Sequence, residues 1–144
     1  MVILAVDYGD VRTGIAVCDK FEMLASPVCM INQTDAKKLI EEIKALVEKY
    51  KAEEIVVGLP KNMDSSLGSR AQKCTEFAEA LSQATQIKCV MRDERLSTVS
   101  AHNILNATNT RGKKRKAVVD QVAAVMILQD YIDYRRINGI NGLN

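Results

Sequence analysis

Tryptophan is absent from this 144-residue chain, and aromatic side chains make up only 4% of it, four Tyr and two Phe. With so few flat surfaces, reading of nucleic acid by stacked single-stranded bases is a poorer expectation than contact with backbone and shape. Histidine occurs once, at His102, and the four cysteines, Cys18, Cys29, Cys74 and Cys89, form no C-x-x-C pair. That scarcity argues against a zinc site, and against Ser–His–Asp or Cys–His catalysis. Three of the cysteines lie in aliphatic, strand-like runs, where a free thiol behaves as a small core residue. No apolar run is long enough for a signal peptide or a membrane span. The first is already broken at Asp7, and the cytoplasm is the expected location. Charge of one sign is also lacking: a formal net charge of +2 points to no partner until the charges are located.

What is present is an ordinary globular composition, 47% hydrophobic and 26% charged, with a length suited to one domain. Residues 2–8 and 13–18 read as two antiparallel strands joined by a Gly-containing turn, and Met23–Ile31 as a third, interrupted near Ser26-Pro27 as at an edge or a bulge. The apolar positions from Ala36 to Tyr50 recur at i, i+3, i+4 and i+7, the stripe of an amphipathic helix, with Thr34 or Asp35 as cap. A strand at 54–58 and a polar loop, LPKNMDSSLGS, follow. Ser69-Arg70-Ala71-Gln72 then reads as a capping box opening a helix whose inner face is Ala71, Cys74, Phe77, Ala78 and Leu81. Ile87–Met91 is a further strand. Ser97 caps a short helix to about Ala107, TNTRGKKRK is a basic loop, and a long helix covers roughly Ala117–Arg136. Three meandering strands followed by αβ units predict an α/β fold, a mixed sheet of three antiparallel and then two parallel strands with helices on both faces. The expected domain is 1–137, with a frayed tail at 138–144.

Three acidic positions share one peculiarity. In the first strand Asp7 continues the face of Ile3 and Ala5, whereas a simple turn residue would point to water. Asp93 and Glu94 fall where the Ile87–Met91 strand ends, at the edge where open α/β sheets bind ligands. Asp120 lies in a helix apolar nearly all round, where an ionised group is costly unless paired or on a metal. Each has a plain alternative; Asp120, for one, stands early in its helix and is favoured there by the dipole. Together, carboxylates at one crevice repel unless a cation joins them, and oxygen-only ligation suits Mg²⁺ or Mn²⁺.

The basic run supplies a complement. Arg111, Lys113, Lys114, Arg115 and Lys116 precede the final helix, where cations oppose the macrodipole. A solvated loop is the plain reading, but a phosphate backbone resolves the conflict. Arg12, Lys61 and Arg95 extend the same positive rim, and Asn62 or Ser65 of the polar loop touches substrate or merely solvent. That loop is no Walker motif. Metal-assisted hydrolysis is the chemistry left.

Four segments, DYGDVRTGIAV, EEIVVGLPKNMDSS, DERLST and KKRKAVVDQVAAVMILQDY, together resemble the signature blocks of the YqgF/RuvX family over nearly the whole chain. The resemblance implies a ribonuclease-H-like fold related to the resolvase RuvC, and a nuclease linked to maturing the 5′ end of precursor 16S ribosomal RNA in ribosome biogenesis, by analogy also to Holliday-junction cleavage. It implies that Asp7, the acidic pair Asp93-Glu94 (Glu94 favoured) and Asp120 form the metal-binding site, with Asp7, Glu94 and Asp120 catalytic. Arg95 and Lys113–Lys116 would hold phosphates. The chain departs from RuvC-type resolvases at Ala123, where those tend to carry a further acid; Asp10 is the candidate to compensate, and its turn position suits a plain Asx turn equally well. The resulting expectation is a metal-dependent endonuclease acting on structured nucleic acid, precursor rRNA first and branched DNA second, as monomer or homodimer, with ribosomal particles as further partners. Its rivals are a non-catalytic RNA-binding assembly factor and an ATP-binding lobe of the actin/hexokinase type, the latter disfavoured because such proteins need two lobes.

Overall fold

Alternation along the first strand decides how the layers are built. In β1 (Ile3–Asp7), Leu4 and Val6 belong to one apolar cluster and Ile3 and Ala5 to another, all four fully buried. A strand buried on both faces must be central. The computed structural model describes residues 1–59, 69–93 and 112–138, and for Leu59, Ser69, Asp93 and residues 112–122 it describes the backbone alone. It pairs β1 antiparallel with β2 (Arg12–Cys18) and parallel with β4 (Glu54–Leu59), in a five-stranded sheet of order β3-β2-β1-β4-β5. The outer strands are β3 (Ala25–Asn32), antiparallel to β2, and β5 (Lys88–Asp93), parallel to β4. This is the expected mixed sheet. Pro27 lies in edge strand β3, where the register shifts: Ile15 pairs with Cys29 but Ala16 with Pro27. A residue without an N–H is confined to such a place.

Helices cover both faces. On one, α1 (Ala36–Tyr50) contributes Leu39, Ile43 and Val47 to the cluster around Leu4 and Val6, and α2 (Ser69–Thr85) contributes Phe77, Ala78 and Leu81. The predicted inner face of α2 is buried at every position. Asp35, not Thr34, caps α1: its Oδ1 accepts from the amides of Lys37 (2.9 Å) and Lys38 (3.3 Å). On the opposite face α3 (Gly112–Ile137) lays Ala124, Ile127, Leu128, Tyr131 and Ile132 on Ile3, Ala5 and Val56. The helix starts five residues before the expected Ala117, so Lys113–Lys116 are helical and not part of a basic loop. Lys and Arg are good helix formers, and the breaker Gly112 marks the beginning of the helix. The short helix expected at 97–107 and the polar loop at 60–68 lie outside the described residues. Among the described residues no helix is long and apolar enough to cross a membrane.

Candidate active site at the carboxyl edge of the sheet

Strand register places the candidate residues by height. Ile3 pairs with Glu54, Ala5 with Val56 and Val6 with Val57, so β1 ends at Asp7 level with Gly58, whose neighbour in β5 is Arg92. Asp7 is half-buried and in the row of Ile3 and Ala5, the row covered by α3. Val90 shares that face, and so does Arg92, which reaches α3: its guanidinium bonds Asp130 at 2.5 Å and lies 4.8 Å from the Tyr134 ring centroid. Period-two alternation therefore puts position 93 in the row of Cys89 and Met91, which face α1 and α2. Of the acidic pair, Asp93 thus occupies a strand position opposed to that of Asp7, while Glu94 lies outside the described residues.

The direction of α3 follows from its other end. Tyr131 donates to Glu54 at 2.6 Å, level with Ile3 at the bottom of β1, and Arg135 reaches Glu54 and Glu22 there. Going back from Tyr131 to Asp120 climbs about 16 Å of helix, while Ile3 to Asp7 climbs about 13 Å of strand. Position 120 accordingly reaches the height at which β1 ends. It also continues the sheet-facing stripe of Ala124, Ile127 and Tyr131 by one turn. Lys113–Lys116 fall in the first turns of α3, beyond that height. Ala123, where the resemblance expects a further acid, is buried.

The β1–β2 turn is held tightly. Gly9 donates to Thr13 Oγ1 at 3.3 Å, and a Cβ on Gly9 would lie 2.0 Å from the Arg12 carbonyl oxygen, so the turn admits no side chain there. Asp10 accepts from Arg70 Nη1 at 2.7 Å, and Arg70 also donates to the Tyr8 carbonyl. This pairing turns Asp10 toward α2, away from the α3 face, and makes it an unsuitable substitute for the acid missing at Ala123. Arg70, Tyr8 and Phe77 gave no local sequence signal of this role; the Arg70–Asp10 contact spans sixty positions of chain. Arg12 opens β2 opposite Asn32 on the same end of the sheet. Lys61, Asn62 and Arg95 lie outside the described residues.

Among the described residues no three His, Cys, Asp or Glu side chains gather as a metal site. Of the three acids expected to bind metal, Asp7 is placed at this edge, while Glu94 and the side chain of Asp120 lie outside what is described; an oxygen-only set of this kind suits a hard divalent cation. The four cysteines form no disulfide, Cys18 and Cys74 are buried, and burial pushes the Cys89 thiol up to about 11.

Comparison with known proteins identifies the family and the fold. A family model described as "RuvX: Holliday junction resolvase" matches residues 1–134. A protein of Halothermothrix orenii named "Putative pre-16S rRNA nuclease" is 45% identical over 135 residues, 94% of this chain and 96% of its own. One of the same name from Carboxydothermus hydrogenoformans is 39% identical over 138 residues, 96% of this chain and 100% of its own. Among solved structures, Thermus thermophilus RuvC in complex with a Holliday junction substrate superposes with a TM-score of 0.62 at 10% identity, covering 96% of both chains. The fowlpox virus Holliday junction resolvase gives 0.54 at 14%, covering 93% of this chain and 99% of that one. At such identities these two structures speak for the fold, the RuvC-like ribonuclease-H arrangement.

Proposed function

The chain belongs to the RuvX family, and from that premise we propose that it is a metal-dependent endonuclease that hydrolyses phosphodiester bonds in structured nucleic acid, with the 5′ end of precursor 16S rRNA as its substrate in the cytoplasm. The observation that carries this reading is the coincidence of height and face. Asp7 ends the central strand under α3, and helix position 120 reaches the same height on the stripe that meets the sheet. Acidic residues at such positions suit a site for a divalent cation, which offsets the cost of carrying charge out of water. Because the strand position of Asp93 belongs to the opposite row, Glu94 is the member of the acidic pair assigned to the metal.

In this mechanism Asp7, Glu94 and Asp120 hold Mg²⁺ or Mn²⁺. Such ions, when bound, supply a nucleophilic water at neutral pH and stabilise the leaving oxygen. The chain's own work is to bind and orient. Lys113, Lys114, Arg115 and Lys116 in the first turns of α3, with Arg12 at the start of β2, would hold the sugar–phosphate strand, together with Lys61, Asn62 and Arg95, which lie outside the described residues. No side chain is needed as general base. Asp7→Asn and Asp120→Asn keep shape and lose charge, so each is expected to lower cleavage at least about 100-fold with an unchanged circular dichroism spectrum. Wild-type rates in both variants would eliminate the mechanism.

Branched DNA is the rival substrate, favoured by the description of the family model, as precursor rRNA is by the names of the relatives. A Mn²⁺-dependent cleavage assay on precursor RNA and four-way DNA side by side separates the two. Binding that survives EDTA, without cleavage of either, would instead assign the chain to a non-catalytic assembly factor.

A further inference from the structure

Asp7 and Tyr8 leave β1 toward opposite faces, so the sheet edge that presents the carboxylate to α3 presents an aromatic ring to α2. On that second side a cleft of about 550 Å³ opens between α1 and α2, lined by Tyr8, Asp10, Ile40, Lys73, Glu76 and Phe77 among others. Its wall is set before any ligand arrives. The Tyr8 and Phe77 rings are parallel, 4.1 Å between centroids and 4° between planes. The Arg70 guanidinium caps the pair, 5.0 Å from the Tyr8 centroid, while bonding Asp10 and the Tyr8 carbonyl. Below lie the apolar Ile40 and Phe77; at the rim are the exposed Lys73 and Glu76.

Size and lining narrow the occupant. The volume falls in the range of small-ligand pockets. A purely apolar molecule would make no use of the charged rim, and a bare anion would meet Asp10 and Glu76 beside Lys73. A nucleotide matches the rim and floor together: a flat body for the aromatic edges and Ile40, N–H and hydroxyl donors for the carboxylates, and a phosphate for Lys73. The cleft and Asp7 share the carboxyl edge of the sheet but open on its opposite faces, since Tyr8 follows Asp7 directly in the chain.

We propose that the cleft between α1 and α2 is a subsite for a single unpaired nucleotide at the same carboxyl edge of the sheet as Asp7, on the opposite face, so that the protein prefers strands carrying an unpaired nucleotide. The proposal rests on the nuclease reading only for the source of that nucleotide. It also revises the expectation from the scarcity of aromatics, since two of the six gather at this point.

The test is an amide NMR titration of the full chain with each of the four ribonucleoside 5′-monophosphates, and with short RNA duplexes that are either blunt or carry one unpaired nucleotide. Lys73→Glu and Ala80→Trp are compared. Both positions are exposed, and a Trp at 80 fills the cleft from the surface. Monophosphates should shift amides around Tyr8, Ile40 and Lys73–Ala80. The duplex with the unpaired nucleotide should bind about tenfold tighter than the blunt one, the worth of one base contact. Ala80→Trp, folded by circular dichroism, should lose both effects, and Lys73→Glu should weaken both. Shifts that fall elsewhere, equal binding of the two duplexes, or a preference untouched in both variants would overturn the subsite. A protein that binds as described but cleaves nothing would refute the nuclease reading and leave the subsite standing.

Discussion

Residue by residue, the sharpest inversion of the usual polarity is in the β2–β3 turn. Glu22 is 3% exposed while its neighbours Phe21 and Met23 are 67% and 53% exposed. The Asp19 carboxylate sets this up by accepting the amides of Phe21, Met23 and Leu24, and Glu22 takes a left-handed conformation (φ 56°) that turns its side chain inward. There it meets Arg135 Nε at 2.5 Å and the chain's amino terminus at 3.1 Å. Burial works against the charge, but the guanidinium and the amine prevail and hold the carboxyl below its ordinary 4.5. A depressed carboxylate adds stability that is complete above 4.5 and disappears as pH falls through the folded-state value. Glu22→Gln should therefore flatten the acid limb of the stability profile, measured by urea unfolding between about pH 7 and pH 3. Arg135→Met leaves buried Glu54 without its cation and Glu22 with the amino terminus alone, and should cost about 3 kcal/mol at neutral pH; a loss below about 1 kcal/mol would show the cluster to be solvent-screened. Nothing in the sequence marks Glu22, because its partners lie at the start of the chain and more than a hundred residues on.

Elements were legible where one periodicity ruled. The 3.6-residue stripe located α1 to the residue and the whole buried face of α2, and Pro27 marked the irregular edge strand, since a missing N–H is a local property. The start of α3 was not legible, because a run of cations there reads as a solvated loop, and its helical state opposes the macrodipole. That opposition gives a prediction with two signs. Lys113→Gln with Lys114→Gln should raise the melting temperature, each cation removed from the first turn being worth about 0.3–1 kcal/mol. The same pair should weaken nucleic-acid binding and reduce the salt slope by about 0.7–0.9 per lost phosphate contact. Salt-dependent binding assays and thermal scans on one preparation check both; stability and affinity moving together would show that the lysines serve the helix and not a polyanion.

For the molecule as a whole, the candidate site was legible as a list of acids but not as a place. Only the pairing of β1 with β4 and the antiparallel run of α3 give Asp7 and position 120 a common height, and only alternation along β5 separates Asp93 from its neighbour. Such long-range register is invisible to any window of sequence. On the proposed reading, the folded chain without metal bears carboxylates pressed together between β1, β5 and α3, and the ion is the glue between these layers. Mn²⁺ should then raise the melting temperature in a concentration-dependent way, by the equivalent of about 2.7 kcal/mol at a hundred times the dissociation constant, and EDTA should reverse it. Asp7→Asn relieves the repulsion, so the metal-free variant should melt above the metal-free wild type yet gain little from Mn²⁺. A variant that melts lower than wild type without metal, and still responds fully to the ion, would place Asp7 in the architecture of the turn and outside the metal site.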